Sequence, residues 1–278
     1  DLVRSRGLGD VYKRQANKRR IVIAMASPQP YSEYPKLGNL PEEQKEIKKA
    51  LDKVEGIDVA YLPQYKGDYE DDIPGASVED VAEAITQTTD IFHFSGHGGY
   101  AKELGPGGGV IGQGGIVLAD KNNRASLLEA DRLMELLRGK GIRLAVLGAC
   151  ETGMKDSVNA WSSVVASLLR GGIPAVIAMQ FSITDDLAAA FMESLYESLV
   201  AGRTIDEAVA LGRAAIRHKA LDGQKDARDW GVPVLYLRTP GGCIFDPVSD
   251  KEAYHAAEKK VNARVIMQQG LAAIDRRN

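Results

Sequence analysis

The chain has 278 residues, of which 44% are hydrophobic and 26% charged, and its formal net charge is -3. These values are typical of a soluble globular protein large enough for one full α/β core. The slight acidic excess argues against direct nucleic-acid binding, which usually requires a basic stripe, and no apolar run approaches the roughly 20 residues that span a bilayer.

The ends of the chain differ in texture from its middle. Residues 1–15, DLVRSRGLGDVYKRQ, show no amphipathic period and resemble translated sequencing-adaptor sequence, so we expect this segment to be non-native. Residues 16–240 carry the alternating apolar runs of one domain. Residues 241–278 begin with two glycines, which predict a linker, and continue as a solvated helical tail that we expect to lead to a further module.

Short apolar runs alternate with helical patterns through the domain. Strands are predicted at 21–26, 57–62, 91–95, 115–119, 142–150, 174–179 and 232–237. Helices are predicted at 41–54, from 77 onward, and at 126–137, 161–169, 185–200, 204–218 and 250–276. This order predicts an α/β fold in which a mostly parallel sheet has helices on both faces.

Two of the predicted strands lead into reactive side chains. His97 follows the run IFHFSG. Cys150 lies 53 positions later, directly after the apolar run IRLAVLGA. Open parallel sheets place their chemistry at the carboxyl ends of the strands, and a cysteine nucleophile needs a nearby base to form thiolate at neutral pH. With two cysteines and four histidines in the chain, few other pairs compete for this role.

Each half of this pair also has a purely structural interpretation. A histidine that ends a strand often only bonds to backbone, which fits His93, and a buried cysteine often serves as a small hydrophobe. His97 differs because glycines flank it on both sides, which lets the backbone approach a substrate closely. Cys150 differs because the polar Glu151-Thr152 follows it at once. Together, the two strand ends favour a cysteine–histidine dyad.

The two cysteines, Cys150 and Cys243, lie in contexts too different for a disulfide, which predicts a reducing, cytoplasmic compartment.

The amino-acid sequences of the two motifs resemble those of a known family. A His-Gly pair about 50 residues before an Ala-Cys pair is the spacing of caspase-type cysteine proteases. The segments DIFHFSGHG and LAVLGACETG resemble the CHAT-domain branch of that clan, which includes relatives of separase. Similarity continues through AVIAMQFSITDDLAAAFMESLYESLVAGRTIDEAVALGRAAI and WGVPVLYLR, so it covers residues 20–240. The resemblance implies a caspase-like three-layer sandwich.

The resemblance also implies roles for single residues. His97 matches the catalytic histidine and Cys150 the nucleophile, with the backbone N–H groups of Gly98 and Cys150 as the oxyanion hole. The turn Gln180-Phe181-Ser182 and Asp185 fall where caspase-type folds build the wall of the S1 pocket. Asp185 either accepts a basic P1 side chain or stabilises a helix N-terminus. Gly148 stands where caspases carry a glutamine, which argues against strict aspartate specificity.

The glycine-rich stretch from Gly98 to Gly115 is not a nucleotide site. It lacks G-x-x-x-x-G-K-[ST] and does not run from strand to helix, so we predict a mobile loop beside the dyad. A zinc site is disfavoured because neither C-x-x-C nor H-E-x-x-H occurs, and no cofactor is implied. An α/β-hydrolase is disfavoured because G-x-S-x-G is absent.

The sequence therefore predicts a cysteine endopeptidase that hydrolyses peptide bonds in a protein or peptide substrate. We expect regulation by a partner or fused sensor, such as a tetratricopeptide-repeat module, and no direct contact with nucleic acid or membrane. The alternative is a catalytically silent CHAT module that acts as a scaffold. Retention of both His97 and Cys150 favours the enzyme.

Overall fold

The computed structural model describes residues 18–29, 34, 37, 40–64, 75–104, 110–149, 157–181, 183–223, 227–238, 242–246 and 251–275. Strands in these ranges are β1 (Arg19–Ala26), β2 (Ile57–Leu62), β3 (Ile91–Gly96), β4 (Gly98–Leu104), β5 (Val110–Ala119), β6 (Ala125–Glu129), β7 (Leu144–Ala149), β8 (Ala175–Met179) and β9 (Pro233–Leu237). Helices are α1 (Leu40–Leu51), α2 (Val78–Ala84), α3 (Ala130–Leu137), α4 (Ser157–Arg170), α5 (Asp185–Val200), α6 (Ile205–Asp222) and α7 (Lys251–Asp275), with a 3₁₀ turn at Ala227–Gly231.

A six-stranded sheet forms the centre of the fold, in the order β2-β1-β3-β7-β8-β9. The pairs from β2 to β8 are parallel, and β9 is antiparallel to β8. Strands β1, β3 and β8 are buried on both faces, which explains why the sequence shows them as continuous apolar runs rather than alternating ones.

Helices cover both faces of this sheet. One face packs against α1, α5, α6 and α7, with Ile47, Phe191 and Ile205 in its core. The other packs against α2, α3 and α4, with Val81, Leu133 and Val164. The result is a three-layer α/β sandwich with a mostly parallel sheet, which confirms the predicted fold class.

The glycine-rich stretch after His97 is a second sheet, so the prediction of a mobile loop is wrong for its described residues. Strands β4, β5 and β6 form an antiparallel ribbon in the order β4-β5-β6. Gly98 lies opposite Ile116, and the pairing continues to Leu104 opposite Val110. Residues 105–109 lie outside the described part of the chain. The ladder hydrogen bonds to β5 impose extended structure on a segment whose glycines carry no propensity signal.

The predicted helix over residues 126–137 is also corrected. Only its last eight residues, α3, are helical, because residues 125–129 form β6 and pair with β5. Leu128 is buried from this strand in the same core that Leu133 enters from α3. A strand and a helix therefore bury neighbouring leucines on one face, which the sequence shows as a single apolar pattern.

The C-terminal helix α7 packs on the domain, although the sequence predicts a solvated tail. Ala257 and Val261 are buried against α5 and α6, and Ile244 and Phe245 just before the helix also enter the core. Within α7, Ala257 and Val261 are four residues apart and therefore lie on the same side of the helix, which gives α7 a narrow inward apolar stripe. Of the described helices, none has the length and apolarity that crossing a bilayer requires.

Candidate active site

The two strands predicted to carry the dyad are neighbours in the central sheet. Strand β3 pairs with β7 in parallel, from Ile91 opposite Leu144 to Gly96 opposite Ala149. His97 follows Gly96 in the sequence, and Cys150 follows Ala149. Cys150 itself lies outside the described residues. The register thus ends with the two backbone positions that immediately precede the predicted base and nucleophile, at the carboxyl edge where open α/β sheets hold their sites.

His97 is held at this edge by ring packing and by its backbone. Its side chain is only 3% exposed, and its ring lies against Tyr34, with ring centroids 5.7 Å apart and planes inclined by 42°. Its carbonyl oxygen accepts a hydrogen bond from the Val117 N–H at 2.9 Å. The histidine is therefore fixed between the end of β3 and the ribbon, where a base that must meet a nucleophile gains from pre-organisation.

The N–H of Gly98, the first residue of β4, points away from its partner strand β5. In an antiparallel pair, residues that exchange hydrogen bonds alternate with residues whose N–H groups face outward. The bond between Val117 and the His97 carbonyl makes the next pair, Gly98 opposite Ile116, the outward type. This direction is compatible with the predicted role of Gly98 as an oxyanion donor.

Gly99 is closely packed by side chains of the ribbon and by Tyr34. A Cβ built on Gly99 would lie 2.7 Å from Leu127 Cδ1, 2.9 Å from Val117 Cγ2 and 3.2 Å from the Tyr34 hydroxyl. Even an alanine would push the tyrosine or the ribbon aside, since real Cβ atoms do not approach so closely. The second glycine after His97 is therefore needed for packing around the histidine.

Glu43 is a buried acid that the sequence interpretation missed. It is 7% exposed in the first turn of α1, where the sequence suggests only a carboxylate favoured by the helix dipole. The Ser95 hydroxyl donates a 2.5 Å hydrogen bond to Glu43 Oε1. Burial raises the pKa of Glu43 to about 7, the Ser95 bond opposes that rise, and the charge of Asp185 adds to it.

A signal for this buried acid was present in the sequence. The inward positions of α1 follow the three-to-four residue spacing of an amphipathic helix, and Glu43 falls on that stripe. The buried residues are Leu40, Glu43, Gln44, Ile47, Ala50 and Leu51. An acid on an apolar stripe, facing a strand that leads to a histidine, is the pattern that would have indicated it.

His93 has the structural role that the sequence suggested, with a side-chain partner in place of a backbone one. It is fully buried, and its Nδ1 lies 3.2 Å from the Tyr196 hydroxyl. Nε2 has no hydrogen-bond partner among the described residues. Burial lowers the pKa of His93 to about 4, so its ring is neutral near pH 7.

The residues predicted for the S1 wall follow β8, the strand next to β7. Gln180 is exposed, and its Nε2 donates to the Tyr236 hydroxyl at 3.4 Å. Phe181 is 53% exposed, a large solvent-facing ring beside the edge. Asp185 is the half-buried first residue of α5, and Ser182 lies outside the described residues. Their roles stay predictions.

Metal ligands are not clustered among the described residues of this edge. Within the described ranges, no group of three or more His, Cys, Asp or Glu side chains is arranged to hold a metal ion. The described residues at this edge provide the buried His97, the Gly98 N–H that faces away from β5, and Glu43, which accepts a hydrogen bond from Ser95, two residues before His97. These groups are suited to proton transfer and oxyanion stabilisation.

Comparison with known proteins assigns the chain to a family. The profile of the CHAT domain matches residues 2–237. A crystal structure of protein GSU0716 from Geobacter sulfurreducens is similar over 83% of this chain and 98% of that chain, with 17% sequence identity and a TM-score of 0.42. No curated protein matches the sequence significantly. The profile covers most of the chain, including both predicted catalytic motifs, and the protein therefore belongs to the CHAT domain family, which is related to cysteine peptidases.

Proposed function

We propose that this protein is a cysteine endopeptidase in which Cys150 is the nucleophile and His97 the general base. The observation that carries the proposal is the register of β3 and β7, in which Gly96 lies opposite Ala149 one residue before each predicted group. Neighbouring parallel strands lie about 4.8 Å apart, so residues that continue this register fall within reach of one another. Membership of the CHAT family supports the same chemistry.

The proposed reaction needs only these groups and water. His97 takes the proton of the Cys150 thiol, and the sulfur attacks the carbonyl carbon of the scissile peptide bond. The N–H groups of Gly98 and Cys150 stabilise the oxyanion. The C–N bond then breaks as the imidazolium protonates the leaving amine, which leaves a thioester. Water, deprotonated by His97, hydrolyses the thioester, releases the carboxylate product and restores the thiol.

The primary experiment compares two cysteine variants on a fluorogenic peptide library. We expect Cys150→Ala to lower cleavage to background while the circular dichroism spectrum stays that of the parent. Cys243→Ala is the matched control, because Cys243 is an exposed free cysteine in the C-terminal segment, and it should cleave like the parent. Cleavage by Cys150→Ala at the parental rate would overturn the assignment.

A second measurement separates an enzyme from a silent scaffold. The rate of iodoacetamide alkylation, followed at each cysteine by mass spectrometry, reports the thiolate fraction without requiring the correct substrate. We expect Cys150 to react at least about tenfold faster than Cys243 near neutral pH, and His97→Ala to remove that advantage. Equal rates at both cysteines, together with no cleavage of the library, would identify a scaffold.

A further inference from the structure

Two contacts join the region of α1 to the end of β3, directly before and at His97. Tyr34, upstream of α1, packs on the His97 ring with centroids 5.7 Å apart. Glu43, in the first turn of α1, accepts the 2.5 Å hydrogen bond from Ser95. Between them, the Leu37 N–H donates to the Ser27 hydroxyl at 3.0 Å, which ties the same region to the end of β1.

Ser95 and His97 are separated by one residue on the same chain segment. Strand β3 ends at Gly96, and His97 is the next residue. Two residues of extended chain span about 6.6 Å. The hydroxyl that bonds Glu43 therefore lies one strand step before the histidine. A charge on Glu43 is transmitted to this edge through low-dielectric protein, since Glu43, Ser95 and His97 are all buried.

Among the described residues, the two named influences on the Glu43 charge are the Ser95 hydroxyl and Asp185, and neither is a cation. From β3 the Ser95 hydroxyl donates to Glu43, and His93, two residues before Ser95 on the same strand, has a neutral ring near pH 7. From α5 Glu43 faces the negative charge of Asp185. From β1 the inward side chains Ile23 and Met25 are apolar. Burial raises the pKa of Glu43 to about 7, so its carboxyl group gains or loses its proton near neutral pH.

We propose that Glu43 is a positioning residue for His97: its carboxyl group holds Ser95, and its ionised form favours the imidazolium state of the histidine. The proposal rests on the proposed function, because an imidazolium is useful here as the partner of the Cys150 thiolate. No proton passes from Glu43 to the dyad. The carboxylate acts through its charge, and the hydrogen bond fixes its distance from the strand.

The test follows the titration of His97 by NMR in the full chain, which needs no substrate. The chain has four histidines, and His97→Asn assigns the signal. Glu43→Gln keeps an oxygen that accepts from Ser95 and removes the charge. We expect the His97 midpoint in Glu43→Gln to fall on the order of one pH unit below that of the parent. Superimposable curves would overturn the proposal.

Two further variants separate charge from structure. Ser95→Ala removes the bond that favours ionised Glu43, so its His97 midpoint should lie between those of the parent and Glu43→Gln. Glu42→Gln is the matched control, because Glu42 is an exposed acid one position earlier in α1, and its curve should superimpose on that of the parent. A Glu42→Gln shift as large as that of Glu43→Gln would contradict a specific role for the buried acid.

The peptidase assay then distinguishes this proposal from the proposed function. If the parent cleaves peptides, the basic limb of its kcat/KM profile should move down in pH in Glu43→Gln by the same amount as the His97 midpoint. A coupled His97 titration without cleavage leaves the Glu43–His97 link intact and overturns the peptidase. Cleavage with an unchanged His97 titration overturns only the role of Glu43.

Discussion

Gly115 of β5 lies opposite Glu129 of β6, and a Cβ on Gly115 would overlap the carbonyl oxygen of Leu128. The two backbones approach closely at this point, where β6 passes directly into α3. The close approach of the Gly115 backbone to Leu128 and Glu129 exists only if residues 125–129 form a strand. It distinguishes the observed structure from the helix that the leucine pattern predicts.

Substitution of Gly115 by alanine should destabilise the fold by about 1–3 kcal/mol, because the added methyl group overpacks the backbone of β6. The measurement is the free energy of unfolding in urea. Gly231→Ala is the matched control, since a Cβ there meets no atom within 4 Å, and its stability should change by less than about 0.5 kcal/mol. A harmless Gly115→Ala would favour the helical alternative for residues 125–129.

The sequence predicts the central sheet better than the ribbon, for a physical reason. Strands such as β3 and β8 are buried on both faces, so their apolar runs report burial directly. Residues 125–129 are a strand only because β5 offers a partner, and that pairing is a tertiary interaction. The glycines of β4 and β5 carry no strand propensity, so hydrogen bonding alone makes them extended.

The candidate site shows the same division. The place of His97 at the end of a buried strand is predictable because a glycine-flanked histidine follows a recognisable apolar run, and its catalytic role stays a prediction. The pairing of β3 with β7 is a tertiary contact that the structure adds. The hydrogen bond from Ser95 to Glu43 is not predictable from β3 or α1 alone. It depends on how α1 packs against β3, a tertiary contact that also buries Glu43, and Asp185 of α5 lies near enough for its charge to act on that carboxyl group.

Glu43 should make the stability of the protein fall as pH rises. The pKa of its carboxyl group is about 7 in the folded chain, against 4.5 for an ordinary glutamate. Its contribution is fully present below about pH 4.5 and is lost as pH rises to about 7, because the unfolded chain releases the proton first. The total loss is about 3 kcal/mol, an order-of-magnitude value.

Glu43→Gln should therefore gain stability relative to the parent as pH rises from about 5 to about 8, by up to about 3 kcal/mol. Urea unfolding at both pH values measures this difference. The depressed pKa of His93 acts in the opposite direction, with stability lost as pH falls below about 6.5, but it is common to both proteins and cancels. A pH dependence identical to that of the parent would show that Glu43 does not ionise in this range.

The C-terminal helix α7 is held by a buried charge. The Glu197 side chain is 2% exposed, Arg264 contacts its Oε2, and Lys260 Nζ lies 3.4 Å from its Oε1. Burial raises the pKa of Glu197, and the two cations oppose the rise. Removal of one cation leaves a buried carboxylate only partly compensated, which is the costly way to break an ion pair.

Arg264→Met should lower the free energy of unfolding by about 2 kcal/mol, less than for a fully buried pair because Lys260 remains. The double variant Glu197→Gln/Arg264→Met should recover most of that loss, which a double-mutant cycle in urea measures. The matched control is Arg203→Met, which breaks an exposed 2.7 Å hydrogen bond to Asn262 of the same helix. Equal losses in the single and double variants would argue that Arg264 stabilises α7 by packing alone.

Asp185 and Asp186 both lie in the first turn of α5, where a negative charge interacts favourably with the helix dipole. Only Asp185 is predicted to contact the substrate. Asp186 accepts a 2.6 Å hydrogen bond from the Thr184 hydroxyl. We expect Asp185→Ala to reduce cleavage after arginine or lysine by at least about tenfold relative to cleavage after small residues, because the basic P1 side chain loses its counter-charge. Asp186→Ala, which removes a comparable dipole contribution, should keep the parental P1 profile. Profiling both variants on a library varied at P1 decides the role: unchanged profiles with equal loss of stability would assign Asp185 to the helix N-terminus.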